Sequence, residues 1–142
     1  ATGVGKALLA FTDAQFLRHY LSRALERPTA YTIVEPGRLR RELTAVRCRG
    51  YAVTREEMTL GSCSVAAPIL DGERKPLAAV GVVVHTARVD PERLATPVEE
   101  SARAIAARLA EAADDPYPTL QHDFAVTPQG RLVRMPRRHT AG

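Results

Sequence analysis

Gly50-Tyr-Ala-Val-Thr-Arg-Glu-Glu-Met-Thr-Leu-Gly-Ser-Cys-Ser-Val-Ala-Ala-Pro68 joins a helix end, a short extended piece, an acidic loop and the start of an apolar strand. It leads into two segments of β character, residues 63–70 and 77–84, separated by Asp71-Gly-Glu-Arg-Lys75. That separator is turn chemistry, with Gly72 available for a positive φ, so the segments are expected to pair as an antiparallel hairpin at the centre of the domain. Alternate residues of a strand share a face. Ser62, Ser64 and Ala66 therefore point together, as do Ala79, Gly81 and Val83. Pairing Leu70 with Leu77 sets Ser64 opposite Val83 and Ala66 opposite Gly81. One face is then built of small side chains, while Cys63, Val65, Ile69, Val80, Val82 and Val84 on the other read as ordinary core. A face of small residues either admits a closely packed helix or leaves a cavity. The hydroxyls of Ser62 and Ser64 favour a guest, because buried hydroxyls need partners.

Helical patterns flank this hairpin. Residues 3–10, Gly-Val-Gly-Lys-Ala-Leu-Leu-Ala, read as a short helix capped by Thr2. Thr12 and Gln15 form a capping box for a second helix, whose stripe of Leu17, Tyr20, Leu21, Ala24 and Leu25 runs until Pro28 stops it. Pro36 opens a third at its tolerated first-turn position, with Leu39, Leu43 and Val46 on one side and Gly50 as the stop. A fourth is expected to begin at Thr96, signalled by Pro97 and Glu99, with Val98, Ala102, Ile105, Leu109 and Ala112 as its apolar seam. From Asp114 onward Pro116, Pro118, Pro128 and Pro136 exclude regular helix, and a weak hairpin is expected across residues 123–134. The chain thus divides into a domain, residues 1–113, and a Pro-rich basic tail, residues 114–142, loosely ordered or docked on another subunit.

The 142 residues suffice for one core, and with 5% aromatics and no Trp that core must be Val, Leu, Ile and Ala. The longest apolar run, residues 77–84, is far short of the roughly 20 residues that cross a bilayer, so no membrane span is expected. The first residues lack the pattern of a secretory signal. Cys48 and Cys63 form neither a CxxC nor a set with paired histidines, which gives no zinc site and no disulfide framework and suits a reducing cytoplasm. The net charge of +4 resides wholly in Arg131, Arg134, Arg137 and Arg138, and the rest of the chain is balanced. A neutral body does not match the electrostatic footprint of a DNA-binding domain.

Catalytic chemistry has no sharp signal. Gly3-Val-Gly-Lys6 lacks the preceding strand, the earlier Gly and the Ser or Thr after Lys that a phosphate-binding loop requires. Its glycines instead suit a helix start packed closely on a sheet, whose free amides attract a carboxylate. Glu56 and Glu57 are neighbours, so they diverge and read as solvated or loop-anchoring residues rather than a catalytic pair. The four histidines are dispersed, and no cofactor or metal is expected.

In series, the motifs Gly3-x-Gly-Lys-Ala-Leu-Leu-Ala, Thr29 with Thr32-Ile33, Leu39-x-x-Glu-Leu, Val46-Arg-x-Arg-Gly-Tyr-Ala, Glu56-Glu, Leu60-Gly and Ala66-Ala-Pro-Ile resemble the effector-binding domain of IclR-type bacterial transcriptional regulators, over residues 1 to about 112. The resemblance implies an α+β fold, a GAF-like antiparallel sheet flanked by helices, here lacking its first strands. It implies a homodimer or homotetramer, and contact with DNA only through a winged helix-turn-helix domain absent from this chain. The family's glyoxylate and pyruvate site maps onto Gly3, Val4, Thr54, Ser64, Gly81 and Val83. Relative to the family, Thr54 stands for an acid, Ser64 for a cysteine, and Gly81 and Val83 for serines. Two lost hydroxyls and a Gly81 that enlarges the pocket imply a larger, partly apolar organic acid, aromatic or branched, held by the helix start and Ser64.

The leading reading is therefore a cytoplasmic, non-enzymatic ligand sensor. The alternatives are a GAF-like enzyme using Cys63 as thiol nucleophile or redox centre, and an assembly domain whose small-residue face is filled by a helix.

Overall fold

The structure, a computed structural model, describes residues 1–113, 124–126 and 132–134. It divides into two units, Ala1–Ala110 and Glu111–Gly142. The first unit orders as α1 (Gly3–Phe11), α2 (Ala14–Leu21), α3 (Pro36–Arg49), β1 (Ala52–Arg55), β2 (Ser62–Leu70), β3 (Pro76–His85), a 3-10 turn (Pro91–Leu94) and α4 (Ala95–Ala113), which runs into the second unit. The three strands form one antiparallel sheet in the order β1-β2-β3. The expected hairpin thus has one central strand, β2, and its second strand lies at the edge.

Register follows the alternation as far as Ile69: Ser64 faces Val83 and Ala66 faces Gly81. It then shifts. Ile69 pairs with Ala78 and Leu70 with Pro76, not with Leu77, across a bulge. The turn explains the shift, since Asp71 Oδ1 accepts from the amides of Glu73 (2.9 Å) and Lys75 (2.8 Å) while its own amide donates to the Lys75 carbonyl. Arg74, not Gly72, takes the positive φ, at 62°, and its guanidinium lies 5.7 Å from the Phe11 ring centroid. An aspartate that folds the turn onto its own side chain displaces the strained residue from the glycine.

The two faces of β2 meet different helices. Val65, Ala67 and Ile69 bury against Ala95, Val98 and Ala102 of α4. Ala66 and Ala52 bury against Ala7 and Ala10 of α1 and Leu39, Leu43 and Val46 of α3. Both faces are core at β2, which corrects the division into one core face and one small face. It also corrects β3: Val82 is exposed and Val84 is half-buried, because α4 lies over the central strand rather than the edge.

Helix ends differ from expectation in local capping. Thr2 caps α1 as expected, accepting from the Gly5 amide. Asp13, not Thr12, caps α2 by accepting from the Phe16 amide at 2.7 Å; Thr12 instead donates its hydroxyl to the Leu9 carbonyl and closes α1. α2 stops at Leu21, well before Pro28, where the Ser22 amide and hydroxyl turn back onto Arg18 and His19. α4 begins at Ala95, continuing from a 3-10 turn capped by Asp90, so Thr96 and Pro97 lie inside its first turn, where proline costs no hydrogen bond. Its seam is buried at Val98 and Ala102 but exposed at Ile105 and Leu109.

Gly50 ends α3 as expected, in a left-handed conformation with φ 92° and its amide on the Val46 carbonyl. A Cβ there would stand 2.6 Å from Glu99 Oε1. Gly50→Ala is expected to lower stability by about 1–2 kcal/mol, read as a reduced urea midpoint with unchanged m-value.

In the second unit, β4 (Phe124–Val126) pairs antiparallel with β5 (Leu132–Arg134), the ladder expected there. The remainder of the tail, including its docking on another subunit, lies outside the described residues. Among the described residues no helix is long and apolar enough to cross a membrane.

Candidate functional site

The start of α1 is laid directly on β2. A Cβ on Gly3 would sit 2.6 Å from Ser64 Oγ and 3.4 Å from Ala66 Cβ, so only glycine permits this approach. Beyond it the helix start and the sheet diverge and leave a cavity of about 450 Å³. Gly3, Val4, Thr54, Ser64, Gly81 and Val83 all line it, joined by Thr2, Met58 and Thr59. The helix start therefore packs on the small-residue face at Ser64 and Ala66 and leaves space beside both. Packed helix and cavity coexist on one face.

The polar groups at this cavity are few and neutral. Thr54 and Ser64, paired across β1 and β2, hydrogen-bond through their hydroxyls at 2.6 Å. Such a pair uses one O–H internally and keeps the second free to rotate toward a guest. Ser62 donates its hydroxyl to the Thr59 carbonyl at 2.7 Å, so this serine holds the loop rather than a ligand. At the helix start Thr2 takes the amides of Gly5 and Lys6 on its hydroxyl and carbonyl. The amides of Gly3 and Val4 are the remaining first-turn donors, and among the described residues they have no acceptor. Among the described residues no Lys, Arg, His, Asp or Glu lines the cavity. Any negative charge on a guest would thus be met by amide and hydroxyl dipoles.

Gly81 departs from expectation in detail. It lines the cavity, but a Cβ on it would meet the Val65 carbonyl at 2.7 Å and Ala66 Cβ at 2.8 Å. The missing side chain is occupied by the approach of β2, not by added pocket volume. Val83, 73% exposed, forms the outer rim.

The acidic loop closes one side. Glu56, at φ 58°, accepts from the Gly61 amide through its carboxylate and donates its own amide to the Ser62 carbonyl. Thr29 and Thr32 donate their hydroxyls to the carbonyls of Glu56 and Glu57, each at 2.7 Å. The Glu57 carboxylate forms an ion pair with Lys6 Nζ and accepts from the Ile33 amide; Lys6 and Glu57 are 2% and 6% exposed. Both glutamates anchor the loop, as their adjacency suggested. The pairing of Glu57 with Lys6 has no signature in the sequence, because 51 positions separate them. Nor did patterning single out Met58 and Thr59, which reach the cavity only through the loop's closure.

Cys63 is 1% exposed, in the alternation of the strand between Ser62 and Ser64. His85 accepts from the Ala87 amide and has no place beside Ser64, whose hydroxyl faces Thr54. No group of three potential metal ligands occurs among the described residues.

A helix-covered antiparallel sheet with a ligand-sized cavity under a helix start is the architecture of an effector-binding domain. Residues 1–109 match the family of the bacterial transcriptional regulator IclR C-terminal region, and the chain belongs to it. The regulator BhcR of Paracoccus denitrificans is 37% identical over 118 residues, covering 80% of this chain and 42% of that protein. A transcriptional regulator from Rhodococcus superposes with TM-score 0.73 at 33% identity, over 78% of this chain and 47% of that one. The inducer-binding domain of PobR from Acinetobacter, a double mutant in complex with 3-hydroxybenzoic acid, superposes with TM-score 0.68 at 31% identity, over 75% of this chain and 63% of its own. The chain spans about two fifths of the length of BhcR and about a third of the Pca regulon regulator of Pseudomonas putida. These relatives are regulators, not enzymes, and the reading of Cys63 as a catalytic thiol finds no support.

Proposed function

We propose that this domain senses a small organic acid, aromatic or branched, held in the cavity by the Gly3 and Val4 amides and the Ser64 hydroxyl. What supports this is that Gly3 and Val4, whose amides have no acceptor among the described residues, line one largely apolar cavity of about 450 Å³ together with the Thr54–Ser64 hydroxyl pair. That volume lies within the range typical of small-molecule sites, and a carboxylate at the amides leaves the remainder of the guest against Met58, Val83 and Ala66. The complex of the PobR domain with a hydroxybenzoic acid supports the same ligand class. Binding would favour one arrangement of a dimer or tetramer over another, in proportion to the ligand's differential affinity, and pass this to a winged helix-turn-helix domain elsewhere in a cytoplasmic regulator.

A thermal-shift panel tests the ligand class. Aromatic or branched monocarboxylates, supplied at about a hundredfold over Kd, are expected to raise Tm by roughly 5 °C or more. Glyoxylate and pyruvate are expected to shift it less, and stabilisation by these two alone would refute the proposal. Ser64→Val removes one hydroxyl and strands that of Thr54. Affinity for the best acid is expected to fall by about tenfold, measured by titration calorimetry.

A further inference from the structure

Lys6 and Glu57 are the only oppositely charged pair among the described residues in which both side chains are withdrawn from solvent, at 3% and 7% exposure. The other ion pairs lie in exposed or half-exposed positions. The pair's placement is specific. Lys6 stands one helical turn after Gly3, on the helix whose first residues line the cavity. Glu57 immediately precedes Met58 and Thr59, the loop residues that line the cavity's other side. The loop is otherwise tied by Thr29, Thr32 and the Ile33 amide to the segment before α3, and at the Gly61 carbonyl by Thr86 just after β3, not to α1.

We infer that Lys6 and Glu57 are positioning residues for the cavity: their buried ion pair locks the α1 wall to the loop wall, so that the two enclose the guest as one unit. Neither residue lines the cavity, and both act through the residues they hold. A buried pair of this kind is weak evidence for stability, because apolar or neutral groups of similar volume replace such pairs with little loss of fold. What neutral groups do not reproduce is a directional tie between two separately anchored segments. This inference rests on reading the cavity as the effector site, but its first consequence needs no ligand.

The test is amide hydrogen exchange on Lys6→Met/Glu57→Gln, in which Gln keeps an oxygen for the Ile33 amide. Exchange at the Gly61 and Ser62 amides, whose acceptors Glu56 Oε1 and the Thr59 carbonyl lie in the loop, is expected to accelerate by about tenfold or more, while the amides of residues 63–70 keep their protection. Titration with 3-hydroxybenzoate follows, and its Kd is expected to rise by about tenfold. Loop amides exchanging at the unaltered rate overturn the inference, as does acceleration spread evenly over β2, which marks a structural role alone. Glu57→Asp is the second variant, retaining the charge and drawing the carboxylate back by one methylene. It is expected to show the same loop-confined acceleration, and its absence there overturns the inference even where the double variant does not fold. Failure of the unaltered protein to bind 3-hydroxybenzoate counts against that ligand class, and the exchange result still decides the positioning role.

Discussion

Lys6→Met alone is expected to destabilise the domain by about 3–5 kcal/mol, the largest single effect foreseen in this chain. The substitution leaves the Glu57 carboxylate buried against the Ile33 amide without its paired side-chain cation. Removing one partner of a buried pair is far worse than removing both, because an uncompensated charge must be tolerated, protonated or brought to water. Lys6→Met/Glu57→Gln is expected to recover most of the loss. Urea unfolding of Lys6→Met, Glu57→Gln and the double variant gives the coupling directly. Small domains hold only about 5–15 kcal/mol in total, so the single variant should populate unfolded chain measurably.

Gly81→Ala is expected to lower stability by about 1–3 kcal/mol and to weaken ligand binding as well. Its Cβ would stand 2.7 Å from the Val65 carbonyl and 2.8 Å from Ala66 Cβ, and neither atom moves without the backbone of β2. Relief requires β3 to lift from β2, and β3 carries Val83 on the cavity's rim. Gly72→Ala is the matched control. Nothing lies within 4 Å of a Cβ at Gly72 and its φ is not positive, so its stability should stay within about 0.5 kcal/mol of the unaltered chain. Thermal or urea midpoints of the two variants separate a packing glycine from a merely permissive one.

Period and punctuation made much of this architecture legible. The alternation of small residues placed Ser64 opposite Val83 and Ala66 opposite Gly81, because a period of two fixes the face of a strand. Pro36 and Gly50 bounded α3 through backbone geometry that few other residues supply. The α+β class and the family both followed from such local marks. What escaped depended on competition between near-equal local options. Thr12 and Asp13 are both capable caps, and the one whose side chain reached the Phe16 amide won. Asp71 drew the turn onto itself, which moved positive φ to Arg74 and slipped Leu77 out of register. β3 reads as core by composition, yet burial depends on which strand α4 covers, a property of layer order rather than of any window of sequence. The same holds at the site. Gly3 and Ser64 were legible as small residues, whereas the Lys6–Glu57 tie and the contribution of Met58 and Thr59 exist only once the loop has closed on α1.

A crystal structure of the protein grown with 3-hydroxybenzoate reads the place and orientation of the guest under the start of α1 directly. The carboxylate is expected within hydrogen-bonding distance of the Gly3 and Val4 amides and the Ser64 hydroxyl, with the ring toward Met58 and Val83. An acid bound elsewhere, or one with its carboxylate turned toward Val83 and solvent, would contradict it.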